Sequence, residues 1–255
     1  MSYLDGHIYH MTILQNLTSI IMLEGLWSRE LLEIFGYRSV SIANEEVQSL
    51  RRRIFICERT PEGEQRRSLL SYVPFYFARQ PPMLYIQYKL GRQDNILLFE
   101  VQRRIICEKG VLFSDGNAAN QQLSATGDEC VYIYPALKVG QQCIRRYDSG
   151  RPLGTNPHCS AIYGSPACLC LLPWDIINRP GQREDEESKR QRHAEVLVPD
   201  YLPLERVVRI AVSTPAMLQA IREEIRGLSW KAKRLLPPIE YVPELFYPVR
   251  EEQER

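Results

Sequence analysis

No apolar run in these 255 residues approaches the roughly 18 that a membrane-spanning helix needs. The opening Met1-Ser2-Tyr3-Leu4-Asp5 lacks the basic start, apolar stretch and small-residue cleavage pattern of a secretory signal, so the cytoplasm is the expected compartment. No charge sign dominates either, with 32 Lys+Arg against 31 Asp+Glu. A nucleic-acid ligand would therefore be held by local basic patches, because the overall field offers little steering. Internal repeats and low-complexity segments are missing. Among the seven cysteines there is no C-x-x-C pair. Cys143, His158, Cys159, Cys168 and Cys170 are of zinc-ligand type, but Cys168-Leu169-Cys170 is too tight for a zinc-ribbon knuckle. Free, reduced thiols and no metal are the expectation.

What is present suits one large globular domain over residues 1–255, at 44% hydrophobic and 25% charged, large enough to bury a core without cross-links. His7 to Thr12 reads as a strand, followed by a helix through Leu17, Ile20 and Ile21, with Gly25 as its C-cap. Val47, Leu50 and Ile54 give an apolar face to a helix over Glu45–Arg53. Thr60 to Arg67 reads as a loop, and Tyr72 to Phe77 as an edge strand or strand end because of Pro74. Its alternate residues are expected to divide between core and pocket. Leu84, Ile86 and Tyr88 alternate as in a half-buried strand, and Ile96 to Val101 is continuous enough for a central one. Residues 128–170, rich in Pro and Gly, read as an irregular insertion. Arg183 to Arg192 is a charge run with Asp185/Lys189 and Glu186/Arg190 at i,i+4 spacing. Strands at Ala194–Val198 and Val207–Val212, then a helix through Leu218, Ile221 and Ile225, complete the pattern.

Five segments stand in order. They are Tyr9-His10-Met11-Thr12 with Asn16-Leu17; Ser41-Ile42-Ala43 with Val47-Gln48 and Arg51; Tyr72-Val73-Pro74-Phe75-Tyr76-Phe77 with Pro82-Met83-Leu84; Phe113-Ser114-Asp115-Gly116; and Ala194-Glu195-Val196-Leu197-Val198. Together they resemble the DarT family of NAD-dependent DNA ADP-ribosyltransferases, whose pattern runs Y-H-I-T…N-L, Y-V-P-F-Y-F…S-P-M-L, F-T-D and Q-A-E-F-L-V.

The resemblance implies an α+β ADP-ribosyltransferase fold, with split antiparallel β-sheets around an NAD cleft and flanking helices. It implies transfer of ADP-ribose from NAD to a base of single-stranded DNA, thymine most often in the family. It also implies a toxin opposed by a macrodomain antitoxin, a DarG-like ADP-ribosylglycohydrolase. The glycosidic bond of NAD breaks through an oxocarbenium-like state, which a facing carboxylate favours. By resemblance that carboxylate is Glu195, and the family's catalytic arginine, which also contacts NAD, falls on Arg51. From composition alone Arg51-Arg52-Arg53 is the polar end of an exposed helix, and Arg52 and Arg53 stay open as alternatives. His10 and Thr12 match the family's NAD-contacting pair, and Asn16 and Leu17 follow them, although Asn16 is equally a helix cap. Tyr76 is suited to stack on nicotinamide and Met83 to wall the same pocket.

The chain departs from the family at Ile13, where members often carry a second His, and in an arginine displaced to Arg79. Leu50 stands in place of a charge, and the Phe113-to-Glu195 interval is longer than in compact members. That interval holds 128–170, where Arg145, Arg146 and Arg151 offer phosphate contacts and Tyr132, Tyr134, Tyr147 and Tyr163 offer stacking surfaces. The other readings are an ADP-ribosyltransferase acting on guanine, RNA or protein, and a non-catalytic nucleic-acid-binding module built on Arg51 to Arg53, Arg103-Arg104 and Arg145-Arg146.

Overall fold

The computed structural model describes residues 3–42, 45–61, 63–121, 129–133, 147–148, 151–152, 159–179 and 185–248. Their strands are β1 (His7–Ile13), β2 (Gly25–Trp27), β3 (Ile54–Thr60), β4 (Gly63–Ser68), β5 (Tyr72–Tyr76), β6 (Ile96–Gln102), β7 (Leu112–Ser114), β8 (Glu129–Tyr132), β9 (Tyr147–Asp148), β10 (Arg151–Pro152), β11 (Ile162–Tyr163), β12 (Glu195–Pro199), β13 (Tyr201–Pro203), β14 (Val207–Val212) and β15 (Ile239–Tyr241). The helices are α1 (Leu17–Met22), α2 (Arg29–Ile34), α3 (Glu45–Arg53), α4 (Pro82–Lys89), α5 (Trp174–Ile177), α6 (Glu186–Gln191), α7 (Pro215–Glu224) and α8 (Trp230–Arg234).

Eight strands form the main sheet in the order β11-β7-β12-β5-β1-β6-β14-β15, antiparallel except between β14 and β15. Its two halves are tightly laddered. β1 pairs with β6 from His7↔Gln102 to Ile13↔Ile96, and β12 pairs with β5 from Glu195↔Tyr76 to Pro199↔Tyr72. Between the halves, β1 and β5 meet only at Tyr9↔Tyr76. Beyond that pair they diverge, and a cleft opens in the middle of the sheet.

Pro74 shows why the gap is tolerated. Its carbonyl accepts from the His10 ring on the β1 side. N–H and C=O of one strand residue point the same way, so the missing N–H of Pro74 also faces the side where no ladder exists. β5 is thus a central strand and not an edge; proline marks the split instead. Its faces alternate as expected: Val73, Phe75 and Phe77 are almost fully buried in the main core, while Tyr72, Pro74 and Tyr76 line the cleft.

Three other expectations are corrected. Leu84, Ile86 and Tyr88 belong to helix α4, where Pro82 takes an N-terminal position that needs no N–H and Leu84 and Gln87, three apart, face inward. Thr60 to Arg67 is largely the β3–β4 hairpin, hidden from a hydrophobicity reading because β4 is mostly exposed. After α1 the left-handed residue is Glu24, at φ 57°. Gly25 is required for another reason: a Cβ there would lie 2.6 Å from the Leu202 carbonyl oxygen on β13. The described parts of 128–170 carry short strands: β8 lies parallel to β3, β9 pairs with β10, and β11 pairs with β7.

The last correction concerns the thiols. Cys57 on β3 and Cys130 on β8 form a disulfide, with Cα atoms 5.8 Å apart. Cys107 and Cys159 are free thiols. Among the described residues the zinc-type side chains that gather are Cys57, Glu64 and Cys130, and two of these are spent on each other. Cys143 and His158 lie outside the described residues. The cross-link joins residues 73 apart in sequence, and closing a loop that long takes roughly 4 kcal/mol of chain entropy from the unfolded state. Reductant, or paired Cys57→Ser and Cys130→Ser substitutions, is expected to lower the melting midpoint by several degrees. Melting curves identical with and without reductant would show that the bond contributes nothing.

Candidate active site

The cleft is lined from the left half of the sheet by Tyr72, Pro74 and Tyr76, from the right by His10 and Thr12, from α3 by Gln48 and Arg51, and from the α4 start by Met83. Leu26 and Trp27 of β2 and the segment Tyr37–Ile42 close it.

Helix geometry selects Arg51 among the three arginines. It follows Val47 by four residues and so shares the face that packs on the core, where Arg51 is only 6% exposed. Its Nη1 donates to Glu195 Oε2 at 3.1 Å, in an ion pair whose partners are both buried. Arg52, one step around the helix, pairs instead with Glu33 on the surface. The Nη2 of Arg51 is buried and, among the described residues, makes no hydrogen bond. A buried donor without a partner is costly.

Glu195 begins β12, opposite Tyr76. Burial pushes its carboxyl above the ordinary range, while the Arg51 charge, the Arg51 hydrogen bond and the Ala118 N–H pull it back. At 2% exposed, Glu195 does not itself line the cleft; Arg51 is the cleft-side member of the pair. The Tyr76 phenol is pushed far up, first by burial and then by the Glu195 charge, so it keeps its proton as a donor.

His10 is held by its Nδ1, 2.9 Å from the Pro74 carbonyl. A carbonyl only accepts, so Nδ1 carries the proton and Nε2 keeps a lone pair. Burial pushes this imidazole down, towards the neutral form. Asn16 stands at the N-cap position of α1, but its side chain makes no capping hydrogen bond there. Its Nδ2 donates to Thr12 Oγ1 and to the Val40 carbonyl, each at 2.9 Å, and its Oδ1 accepts from Val40 N at 2.9 Å. It straps the 37–42 segment over the cleft. Leu17, fully buried in the main core, does not reach the cleft.

Sequence reasoning misses several parts of this arrangement. The charge run is helix α6 turned partly inward: Arg190 bonds the Asp115 carboxylate and carbonyl, each at 3.1 Å, and also pairs with Glu187. Lys189 pairs with Glu186, so the i,i+4 pattern is replaced by i,i+3 contacts. Asp115 also accepts from Ala161 N at 2.8 Å, which ties the Phe113–Gly116 motif to the far side of the insertion. Tyr163 is a core residue stacked on Phe113, and Tyr132 donates to Glu64. Arg145, Arg146, Tyr134 and the side chains of Tyr147 and Arg151 lie outside what is described. Arg103 is spent on the carbonyls of Tyr3, Asp5 and His7, and Arg104 pairs with Asp5, so this part of the patch read for a non-catalytic module is already engaged.

The family model described as "ssDNA thymidine ADP-ribosyltransferase, DarT" matches residues 9–130 and 155–247. The fold is similar to that of Thermus sp. 2.9 DarT in complex with ADP-ribosylated ssDNA, with a TM-score of 0.64 and 21% identity over 94% of this chain and 96% of that one. It is similar to the same Thermus protein in complex with NAD+, at 0.60 and 19% over 94% and 97%. It is also similar to Thermosipho africanus DarTG in complex with ADP-ribose, at 0.61 and 19% over 94% and 50%. No curated protein matches.

Proposed function

We propose that this chain, which belongs to the DarT family of single-stranded-DNA thymidine ADP-ribosyltransferases, works through Glu195 and Arg51 as one buried unit beside the NAD cleft. The reaction is transfer of ADP-ribose from NAD to a base of single-stranded DNA, with release of nicotinamide. NAD supplies a glycosidic bond whose cleavage leaves positive charge on the ribose. The chain supplies a carboxyl at Glu195 and, beside it, a cation at Arg51 that favours its ionised form against the effect of burial.

The Nη2 of Arg51 carries this reading, because it is a buried, charged donor that no acceptor among the described residues meets. His10 Nε2 accepts from a hydroxyl, the Tyr76 phenol donates and gives a ring face, and Met83 walls the same side. Thr12 and Asn16 serve through the strap on Val40, and Leu17 through the core beneath β1. We assign the basic residues Arg145, Arg146 and Arg151 to the DNA side, within a single domain over 1–255 whose insertion spans about 128–170. No helix among the described residues is long and apolar enough to cross a membrane. The cytoplasm, where NAD and DNA are both at hand, is the compartment we assign, with a macrodomain antitoxin as the opposing partner.

Mass spectrometry after incubation with NAD and a panel of single-stranded oligonucleotides tests the function. Thymine-containing strands should gain one ADP-ribose while matched strands without thymine do not. Consumption of NAD with no DNA product, or product on guanine alone, would overturn the assignment of the acceptor.

A further inference from the structure

Three aromatic rings in contact run from the lining of the cleft to exposed positions beside it. β2 and β13 form a two-stranded ribbon in which Tyr201 lies directly opposite Trp27, with ring centroids 6.0 Å apart. Phe35, at the end of α2, also meets Trp27, edge-on, at 5.5 Å. Trp27 lines the cleft and is fixed by its indole N–H, which donates to the Leu23 carbonyl at 3.1 Å. Tyr201 and Phe35, 50% and 59% exposed, carry the row away from the cleft into solvent.

The row is held rigidly. Both ends of the ribbon use left-handed non-glycine residues, Glu24 at φ 57° and Asp200 at φ 61°, a conformation that costs energy and persists only where surroundings impose it. Asp200 is fixed by Arg67 and by backbone bonds to Ser71 and Ser28. Phe35 is fixed by a helix end in which Gly36 takes φ 73° and Tyr37 N bonds back to Leu32 O. The charges around it are largely paired: Arg29 and Arg52 with Glu33, and Arg67 with Asp200. Exposed rings, rigidly presented and electrically quiet, suit flat uncharged partners with two open faces.

We propose that Tyr201, Trp27 and Phe35 form a stacking platform for unpaired bases of the single-stranded DNA substrate that flank the acceptor base. This rests on the reading of the adjoining cleft as the NAD site. Bases of a single strand have free π faces, whereas those of a duplex are already stacked, so the platform selects for single strands and delivers the chain to the cleft mouth.

Binding of a fluorescein-labelled, thymine-containing oligonucleotide, read by anisotropy without NAD, tests this directly. Tyr201→Ala and Phe35→Ala should each weaken binding roughly fivefold to a hundredfold. The slope of log Kd against log salt should stay at its wild-type value, because no phosphate contact is lost. Tyr201→Phe should bind as wild type. Slow NAD cleavage without DNA should be unchanged in all three, since neither position lines the cleft. Phe35 sits at an exposed helix end, so its variant remains informative even if Tyr201→Ala fails to fold. Unchanged DNA affinity in Phe35→Ala and in a folded Tyr201→Ala would overturn the platform. So would a raised KM for NAD with DNA affinity intact, which would assign the rings to the adenine of NAD. If wild type modifies DNA normally while the platform variants bind it normally, only the platform fails. If wild type cleaves no NAD with any oligonucleotide, the reading of the cleft fails with it.

Discussion

Glu195→Gln is expected to reduce ADP-ribose transfer by roughly two to three orders of magnitude, as removal of a preorganised charge that stabilises the transition state does, and to leave the fold intact. The glutamine is isosteric and still offers an oxygen to Arg51 Nη1, so the 3.1 Å contact and the Glu195↔Tyr76 pairing survive. What is lost is the negative charge. Its value is large here because the site is buried and the charge is fixed before the reaction starts, so no solvent has to reorganise as the ribose becomes cationic. Wild type should show an acid limb above the ordinary carboxylate range, because burial holds the Glu195 carboxyl up and protonation removes the working form. The glutamine variant should lose that limb along with the activity. Circular dichroism should report an unchanged fold, and single-turnover kinetics a slowed chemical step. Wild-type turnover in Glu195→Gln would take Glu195 out of the mechanism.

How much of this is open to a sequence reading depends on the range of the forces involved. Strands β1, β6, β12 and β14 and helix α3 are legible because each carries its own pattern of buried positions. α4 is misread because Leu84, Ile86 and Tyr88 alternate by chance, whereas burial follows Leu84 and Gln87. Pro74 is misread as an edge signal because the split between β1 and β5 is a property of the whole sheet. The Cys57–Cys130 bond, the Asp115–Arg190 pair and the clamp of Asn16 on Val40 join positions 73, 75 and 24 residues apart. Nothing local announces any of them. The site residues stand out because the motif order of a family names them. Their partnership, and the fact that Arg51 and not Glu195 faces the cleft, belongs to the folded chain alone.

Arg51→Lys should impair transfer strongly while Arg52→Ala leaves it near wild type. Two positions one residue apart on α3 differ this much because of where the helix points them. Arg52 lies on the solvent side, 53% exposed, in a pair with Glu33, and exposed pairs of that kind contribute only about 0.2 to 1 kcal/mol to stability. Arg51 is buried, spends one nitrogen on Glu195 and has another that meets no partner among the described residues. Lysine preserves the charge, so Glu195 is not left as an uncompensated buried anion and folding survives, which Arg51→Ala does not guarantee. Yet lysine has no planar fork, and a single ammonium cannot hold Glu195 and donate to an outside acceptor in the same geometry. A loss of roughly a hundredfold in kcat/KM is expected, comparable to removal of one positioned donor. The pH profile supplies an independent check. Arg51 holds the raised Glu195 carboxyl down, so weakening the pair lets it rise further, and the acid limb of the lysine variant should move to higher pH. In Arg52→Ala the limb should stay where wild type has it. Equal rates and superimposable pH profiles for the two variants would show that Arg51 is a structural partner of Glu195 and that the catalytic cation lies elsewhere.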